Sequence, residues 1–199
     1  ICGNKNIKNV LDLGHQPLAD DLKNDKIKSV KTKFFPILIG FCKKCILLQN
    51  NYIVDHKNLY TKNYHYRPGI TKDVVKNFKD MSQNLSRLYK LNSESVVADI
   101  GCNDGSLLKQ FINFGITKTI GIEPTNTIKF AKPHIRTVQN FMNISCSKKA
   151  LKFYGKVDLI TTTNVFAHTN KMKDFILGVK KLIKKNGIFV IENHYLGAI

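Results

Sequence analysis

From residue 93 onward the apolar positions alternate between two periods. Short β-branched runs at 96–100, 118–122, 157–162 and 187–192 read as strands buried on both faces, with a further short strand near 135–138. Between them, 105–113, 125–131 and 171–184 carry apolar residues at helical spacing. Strands and helices in alternation predict an α/β, Rossmann-like parallel sheet with helices on both faces. Gly187, following Lys184-Lys185-Asn186, is expected to stop the last helix and turn the chain.

The pattern before residue 93 is different. Val74, Val75, Phe78, Met81, Leu85 and Leu88 recur at helical spacing, which predicts a helix over 71–90. Residues 1–58 read as irregular, because Leu11-Asp12-Leu13-Gly14-His15-Gln16-Pro17 puts turn residues inside short apolar pieces. Within that region 36–41 reads as a strand running into Cys42-Lys43-Lys44-Cys45, with 46–49 leaving it as a hairpin. A module this small holds little core, so a metal staple would help it fold. The expected organisation is a metal-binding module at 1–60, a helical connector at 61–92 and the main domain at 93–199.

The chain has 199 residues, 43% of them hydrophobic, and 12 phenylalanines, enough for a substantial core. No apolar run approaches the ~20 residues that cross a bilayer, and no signal peptide is evident, so a soluble cytoplasmic protein without a membrane partner is expected. The formal charge of +18 raises a polyanion as partner. The lysines are spread among asparagine and isoleucine along the whole length, however, so nucleic acid is not the expected partner. A phosphorylated small molecule remains compatible with the charge. The five cysteines, Cys2, Cys42, Cys45, Cys102 and Cys146, suggest metal binding rather than a disulfide framework.

Candidate chemistry concentrates at Asp99-Ile100-Gly101-Cys102-Asn103-Asp104-Gly105, where an apolar strand ends in a carboxylate and a glycine turn opens a helix. The spacing D-x-G-x-x-x-G differs from the dinucleotide fingerprint. A strand-end carboxylate would repel a pyrophosphate but suits the ammonium of an amino-acid cofactor, and S-adenosylmethionine meets that requirement. Gly101 and Gly105 reach backbone angles closed to other residues and leave room for a ligand against the main chain. Glu123 closes the second strand, placed to accept two ribose hydroxyls. Alternatively, Glu123 caps the helix beginning near Thr125, and Asp104 caps its own. Gln139, Asn140 and Phe141, after the third strand, are placed to meet adenine or form a surface turn. Asn164 and His168 follow the fourth strand at the same edge, and an imidazole there suits general-base work. A structural histidine is the alternative.

Seven segments together resemble the S-adenosylmethionine-dependent sugar C-methyltransferases, in which a zinc-binding module precedes a class I methyltransferase domain. They are residues 11–19, 42–45, 64–66, 100–105, 121–124, 164–168 and 191–196, with the spellings L-D-L-G-H-Q-P-L-A and G-C-N-D-G the most specific. The resemblance implies a structural zinc held by two C-x-x-C pairs. Cys42 and Cys45 form one pair, and Cys2 stands in the other with its partner expected upstream. It also implies S-adenosylmethionine bound by Asp99, Gly101, Cys102, Asn103, Asp104, Gly105, Glu123, Gln139, Asn140, Phe141 and Asn164. The implied substrate is a nucleotide-linked 4-keto deoxy sugar of the dTDP type. The carbon beside its ketone would be deprotonated and methylated, with His168, Asn164, Tyr66 and Tyr64 as the catalytic groups. The connector at 61–92 would contribute to the substrate site. The chain is expected to be truncated at both ends. The alternatives are an RNA methyltransferase with a zinc module and a non-catalytic cofactor- or partner-binding fragment.

Overall fold

The computed structural model describes residues 1–19, 32–60, 64–131 and 135–194; Tyr195 and Leu196 of the last motif lie outside them. The chain divides into two units, Ile1–Thr61 and Lys62–Ile199.

The first unit is a three-stranded antiparallel sheet in the order β1 (Lys8–Pro17), β2 (Phe34–Phe41), β3 (Leu48–Asn50). The hairpin of β2 and β3 around the C-x-x-C turn follows the pattern of the sequence. Strand β1 corrects the irregular reading of 8–17. Its pairing with β2 slips between Asn9 and Leu11 and again between Asp12 and His15. Such bulges absorb the turn residues: Gly14 takes a φ of +69°, and its N–H donates to the Asp12 carboxylate at 2.8 Å. Every residue of β1 is exposed. Among the described residues of this unit, Cys42 is the only apolar side chain fully buried.

The second unit is a five-stranded parallel sheet in the order β6-β5-β4-β7-β8. The strands are β4 (Val96–Ile100), β5 (Lys118–Ile122), β6 (Arg136–Val138), β7 (Val157–Thr163) and β8 (Ile183–Glu192). Successive side chains of a strand point to opposite faces. Accordingly Val96, Ala98 and Ile100 join one apolar layer while Val97 joins the other. Helices α1 (Lys72–Leu88) and α2 (Ser106–Asn113) cover the Val97 side through Phe78, Leu107, Leu108 and Phe111. Helices α3 (Ile144–Tyr154) and α4 (Met172–Leu182) cover the other through Cys146, Ala150, Phe175, Val179 and Leu182. At the amino end of the sheet Asp158 joins three strands: it accepts Val96 N–H at 2.9 Å and pairs with Lys184 at 2.7 Å.

Three features depart from the sequence reading. Helix α3 was not expected, because its core-facing residues Cys146, Ser147 and Ala150 are small and give little hydrophobic contrast. Residues 126–130 form a 3₁₀ turn, Asn126–Phe130, capped by Thr125. Gly187 does not stop a helix. Helix α4 ends at Leu182, and β8 begins at the next residue, so Gly187 lies inside the strand. A Cβ there would sit 2.5 Å from Ile183 Cγ1 and 3.0 Å from the Val157 carbonyl, so close packing is what requires glycine.

Candidate active site

Strand order reverses at β4, whose neighbours are β5 and β7, and open α/β sheets bind ligands at the carboxyl ends of such strands. Beyond Ile100, Gly101 takes a φ of +77°, and the amides of Gly101 and Cys102 both donate to the Ile122 carbonyl, at 2.7 and 3.1 Å. Asn103 is also left-handed, at +50°, and its amide donates to Glu123 Oε2 at 3.1 Å. Gly105, at +77°, starts helix α2. In the direction a side chain would take, both glycines meet protein. A Cβ on Gly101 would strike Val165, and one on Gly105 would lie 2.7 Å from Ile135 Cδ1. These glycines are needed for their backbone angles and for packing.

The site concentrates negative charge. Asp99 is 2% exposed, Glu123 5% and Asp104 6%. Burial pushes the Asp99 carboxyl up to about 7; the Thr161 hydroxyl, donating at 2.8 Å, pulls it down, and the Glu123 charge pushes it up further. Cys102 turns its thiol inward against Gly121, and burial together with Asp99, Glu123 and Asp104 raises it well above the usual thiol range. A buried group of carboxylates favours a cationic ligand.

Glu123 combines both readings offered by the sequence. Its Oε1 accepts the Thr125 amide at 2.8 Å, fixing the start of the next turn, and its Oε2 accepts Asn103. Each carboxylate oxygen keeps a second lone pair for another donor. Asp104 serves the structural role: Oδ1 accepts the Ser106 amide and hydroxyl, and Oδ2 accepts the Gly69 amide at 3.0 Å. The Asn103 side chain donates from Nδ2 to the Tyr66 carbonyl at 2.9 Å, while its Oδ1 is buried with no partner among the described residues. An orphaned buried acceptor beside three carboxylates fits a ligand carrying an ammonium group.

Gln139 follows β6 and reaches back to the Thr125 carbonyl and Asn126 Oδ1, both at 3.2 Å. Asn140 and Phe141 are half-buried at the same edge. Asn164, left-handed at +53°, leaves β7 with its amide on the Glu192 carbonyl. His168 ends the 3₁₀ turn Phe166–His168, which Phe166 anchors edge-on to Phe175 at 5.4 Å, leaving His168 exposed. Tyr64 is half-buried, and Tyr66 meets the turn through its main chain with its side chain exposed. A cavity of about 380 Å³ adjoins the turn, lined among others by Arg67, Asp104, Ser106 and Phe130; Arg67 stacks over Phe130 at 4.4 Å. Sequence reasoning missed Thr161 and Arg67. The signal for Thr161 was a hydroxyl inside a buried strand.

In the first unit Cys2, Cys42 and Cys45 bring their sulfurs within 4.8 Å of one another. The Cys42 amide donates to the Leu47 carbonyl and the Ile46 amide to the Cys42 carbonyl, closing the turn at the cost of a left-handed Ile46 at +62°. The Asn4 side chain donates to the Cys42 sulfur at 3.3 Å, and this bond, with the Cys45 and Lys44 amides, pulls Cys42 down to about 6. Three converging thiols, one of them readily ionised, fit a thiophilic metal.

The comparisons with known proteins agree with this geometry. A family profile described as "Putative zinc binding domain" matches residues 1–60, and one described as "Methyltransferase domain" matches residues 75–196. C-methyltransferase NovU of Streptomyces niveus is 21% identical over 198 residues, 98% of this chain and 47% of its own length. A ubiquinone biosynthesis O-methyltransferase of Pelagibacter ubique (strain HTCC1062) is 31% identical over 126 residues, 61% of this chain and 49% of its own. The chain therefore spans about half the length of these curated relatives. The crystal structure of Streptomyces venezuelae DesVI superposes with a TM-score of 0.50 at 18% identity, covering 72% of this chain and 59% of that one, a likeness of fold. With its parallel sheet, its strand-end turn and a profile match over more than half of its length, the chain belongs to the methyltransferase domain family.

Proposed function

We propose that this chain is part of a C-methyltransferase that uses S-adenosylmethionine to methylate a nucleotide-linked 4-keto deoxy sugar of the dTDP type. The observation that carries the reading is the alignment with C-methyltransferase NovU, which takes in both the cysteine module and the parallel sheet. Motif spellings shared with the sugar C-methyltransferases supply the substrate class.

In this reading Glu123 holds the ribose hydroxyls, Asp99 and Asn103 Oδ1 face the ammonium, and Gln139, Asn140 and Phe141 border the adenine. The cofactor supplies a methyl group on a sulfonium, whose positive charge disperses in transfer, so catalysis depends on positioning and on a stabilised enolate. His168 takes the proton from the carbon beside the sugar ketone. Asn164 and the hydroxyls of Tyr66 and Tyr64 orient the sugar and hold the developing enolate oxygen. Cys2, Cys42 and Cys45 would be the thiolate ligands of a structural zinc, which would supply cross-linking of the module rather than chemistry at the substrate.

The test is mass spectrometry of a full-length protein incubated with S-adenosylmethionine and a panel of nucleotide-linked 4-keto deoxy sugars. A product heavier by one methylene is expected, with His168→Ala losing product while keeping its affinity for S-adenosylhomocysteine. Methylation of RNA instead, with a steep loss of binding as salt rises, would replace this reading by a nucleic-acid enzyme.

A further inference from the structure

Two motifs of the C-terminal unit, G-C-N-D-G and Tyr64-His65-Tyr66 with the Arg67-Pro68-Gly69 that follows it, touch each other. Asn103 Nδ2 donates to the Tyr66 carbonyl across 37 positions of sequence, at 2.9 Å, and the Gly69 amide donates to Asp104 Oδ2 across 35, at 3.0 Å. Neighbouring side chains of one turn thus grip the main chain of one short segment at two points. The fit is tight on both sides. A Cβ on Gly69 would lie 2.5 Å from Asp104 Oδ2 and strike Ser106 Oγ, so only glycine lets the segment lie this close. Asn103 meanwhile sits in the left-handed region, with its own amide on Glu123 Oε2. A continuous path therefore runs from the Glu123 carboxylate through Asn103 to Tyr66, and the Asn103 acceptor left over is buried and unpartnered.

A cofactor turn needs its glycines and its strand-end acid. It does not need an Asn-Asp pair that commits one side-chain group from each residue to another segment. We propose that Asn103 and Asp104 are positioning residues that strap the segment 64–70 onto the cofactor turn. Binding at Glu123 and ordering of the tyrosine-bearing segment are then a single coupled equilibrium. The strap rests on the S-adenosylmethionine reading of the turn. In functional terms, the substrate-facing tyrosines take up their places once the methyl donor is bound. By linkage, whatever the cofactor contributes to ordering the segment, the ordered segment returns to cofactor affinity.

The experiment is hydrogen exchange by mass spectrometry on the full chain with and without S-adenosylhomocysteine, alongside calorimetric titration, for the wild type, Gly69→Ala and Asn103→Gly. Gly69→Ala forces the segment off Asp104. Asn103→Gly removes the amide from the other side while easing the left-handed backbone, and it also takes away the Oδ1 that faces the ammonium, so the affinity change that tests the strap is the one read on Gly69→Ala. In the wild type, ligand is expected to slow exchange across 64–70. In both variants that segment should exchange fast with or without ligand, while β4 and β5 stay protected, and the dissociation constant should rise about 5-fold or more. Ligand binding in the wild type without slowed exchange at 64–70, or the same slowing in both variants, overturns the strap alone. A folded wild type that binds no S-adenosylhomocysteine overturns the cofactor reading and the strap together.

Discussion

The two units solve the problem of folding by different means. In the C-terminal unit the sheet lies between two apolar layers, with Leu108, Phe111, Ile120, Leu159, Ile160 and Leu182 wholly withdrawn from solvent. Among its described residues the N-terminal unit leaves Val10, Leu11 and Leu13 at least half exposed along β1, and Cys42 is the apolar side chain it fully buries. Apolar burial contributes roughly 25 cal/mol per Å², a source that scales with the area withdrawn from water. The described residues of the first unit withdraw little apolar area. Its three sulfurs point to the remaining source, the free energy of metal binding, which in such modules is folding free energy. In this reading one chain holds a unit stabilised by packing and a unit that coordination would stabilise, and the proposed reacting groups belong to the packed one.

The largest expected effect follows from that division. Stripping zinc with a chelator, or Cys42→Ser, removes a contribution on the order of 10 kcal/mol. Strands β1 to β3 should then lose hydrogen-exchange protection while β4 to β7 keep theirs, and loss of protection in both units, or in neither, would break the comparison. The next effect is read by denaturant unfolding. Phe111→Ala, which empties a site with 0% exposure, should cost about 3–5 kcal/mol. Leu11→Ala, at 51% exposure, should change stability by no more than about 0.5 kcal/mol. Equal costs would mean that β1 is covered in solution.

A smaller effect is one of pH. Asp99 is held at about 7, above its ordinary 3.8, chiefly by burial. In the unliganded protein the proton therefore favours folding: the contribution is complete below the ordinary value and is lost as pH rises through about 7. A cationic ligand requires the ionised form, so affinity for S-adenosylhomocysteine should run the other way and fall as pH drops through the same region. The titratable groups near Asp99 are Glu123, Asp104 and Cys102; the Glu123 charge works in the same direction as burial, while the Cys102 thiol stays protonated and carries no charge. Thr161→Val removes the hydrogen bond that favours ionisation and should move the midpoint upward. Calorimetric titration across neutrality checks this, and affinity independent of pH would show that Asp99 does not face the ligand's charge.

Much of this architecture was legible because buried parallel strands are written as unbroken apolar runs, and because the strand-end turn carries its chemistry in consecutive residues. The features that escaped have specific causes. Helix α3 presents cysteine, serine and alanine to the core, and its strongest written mark was the capping Asn143, whose side chain accepts the Cys146 amide at 2.8 Å. Strand β1 hides its pairing behind bulges that resemble turns. Thr161 meets Asp99 only because β7 lies beside β4, a neighbour relation fixed by sheet order rather than by spacing. The grip of Asn103 and Asp104 on Tyr66 and Gly69 was hidden for the same reason, and the helix-capping alternative for Asp104 was half of the answer.

The central claim is that the carboxyl ends of β4 and β5 form a cofactor site organised by Glu123. Calorimetric titration of the full chain with S-adenosylhomocysteine tests it most directly, on the wild type and on Glu123→Ala, with unchanged exchange protection in β4 as the check on folding. Charged hydrogen bonds of about 1.5–3 kcal/mol predict saturable one-site binding in the wild type and affinity weakened by about tenfold or more in the variant. No binding by the folded wild type, or undiminished binding by the folded variant, would contradict it.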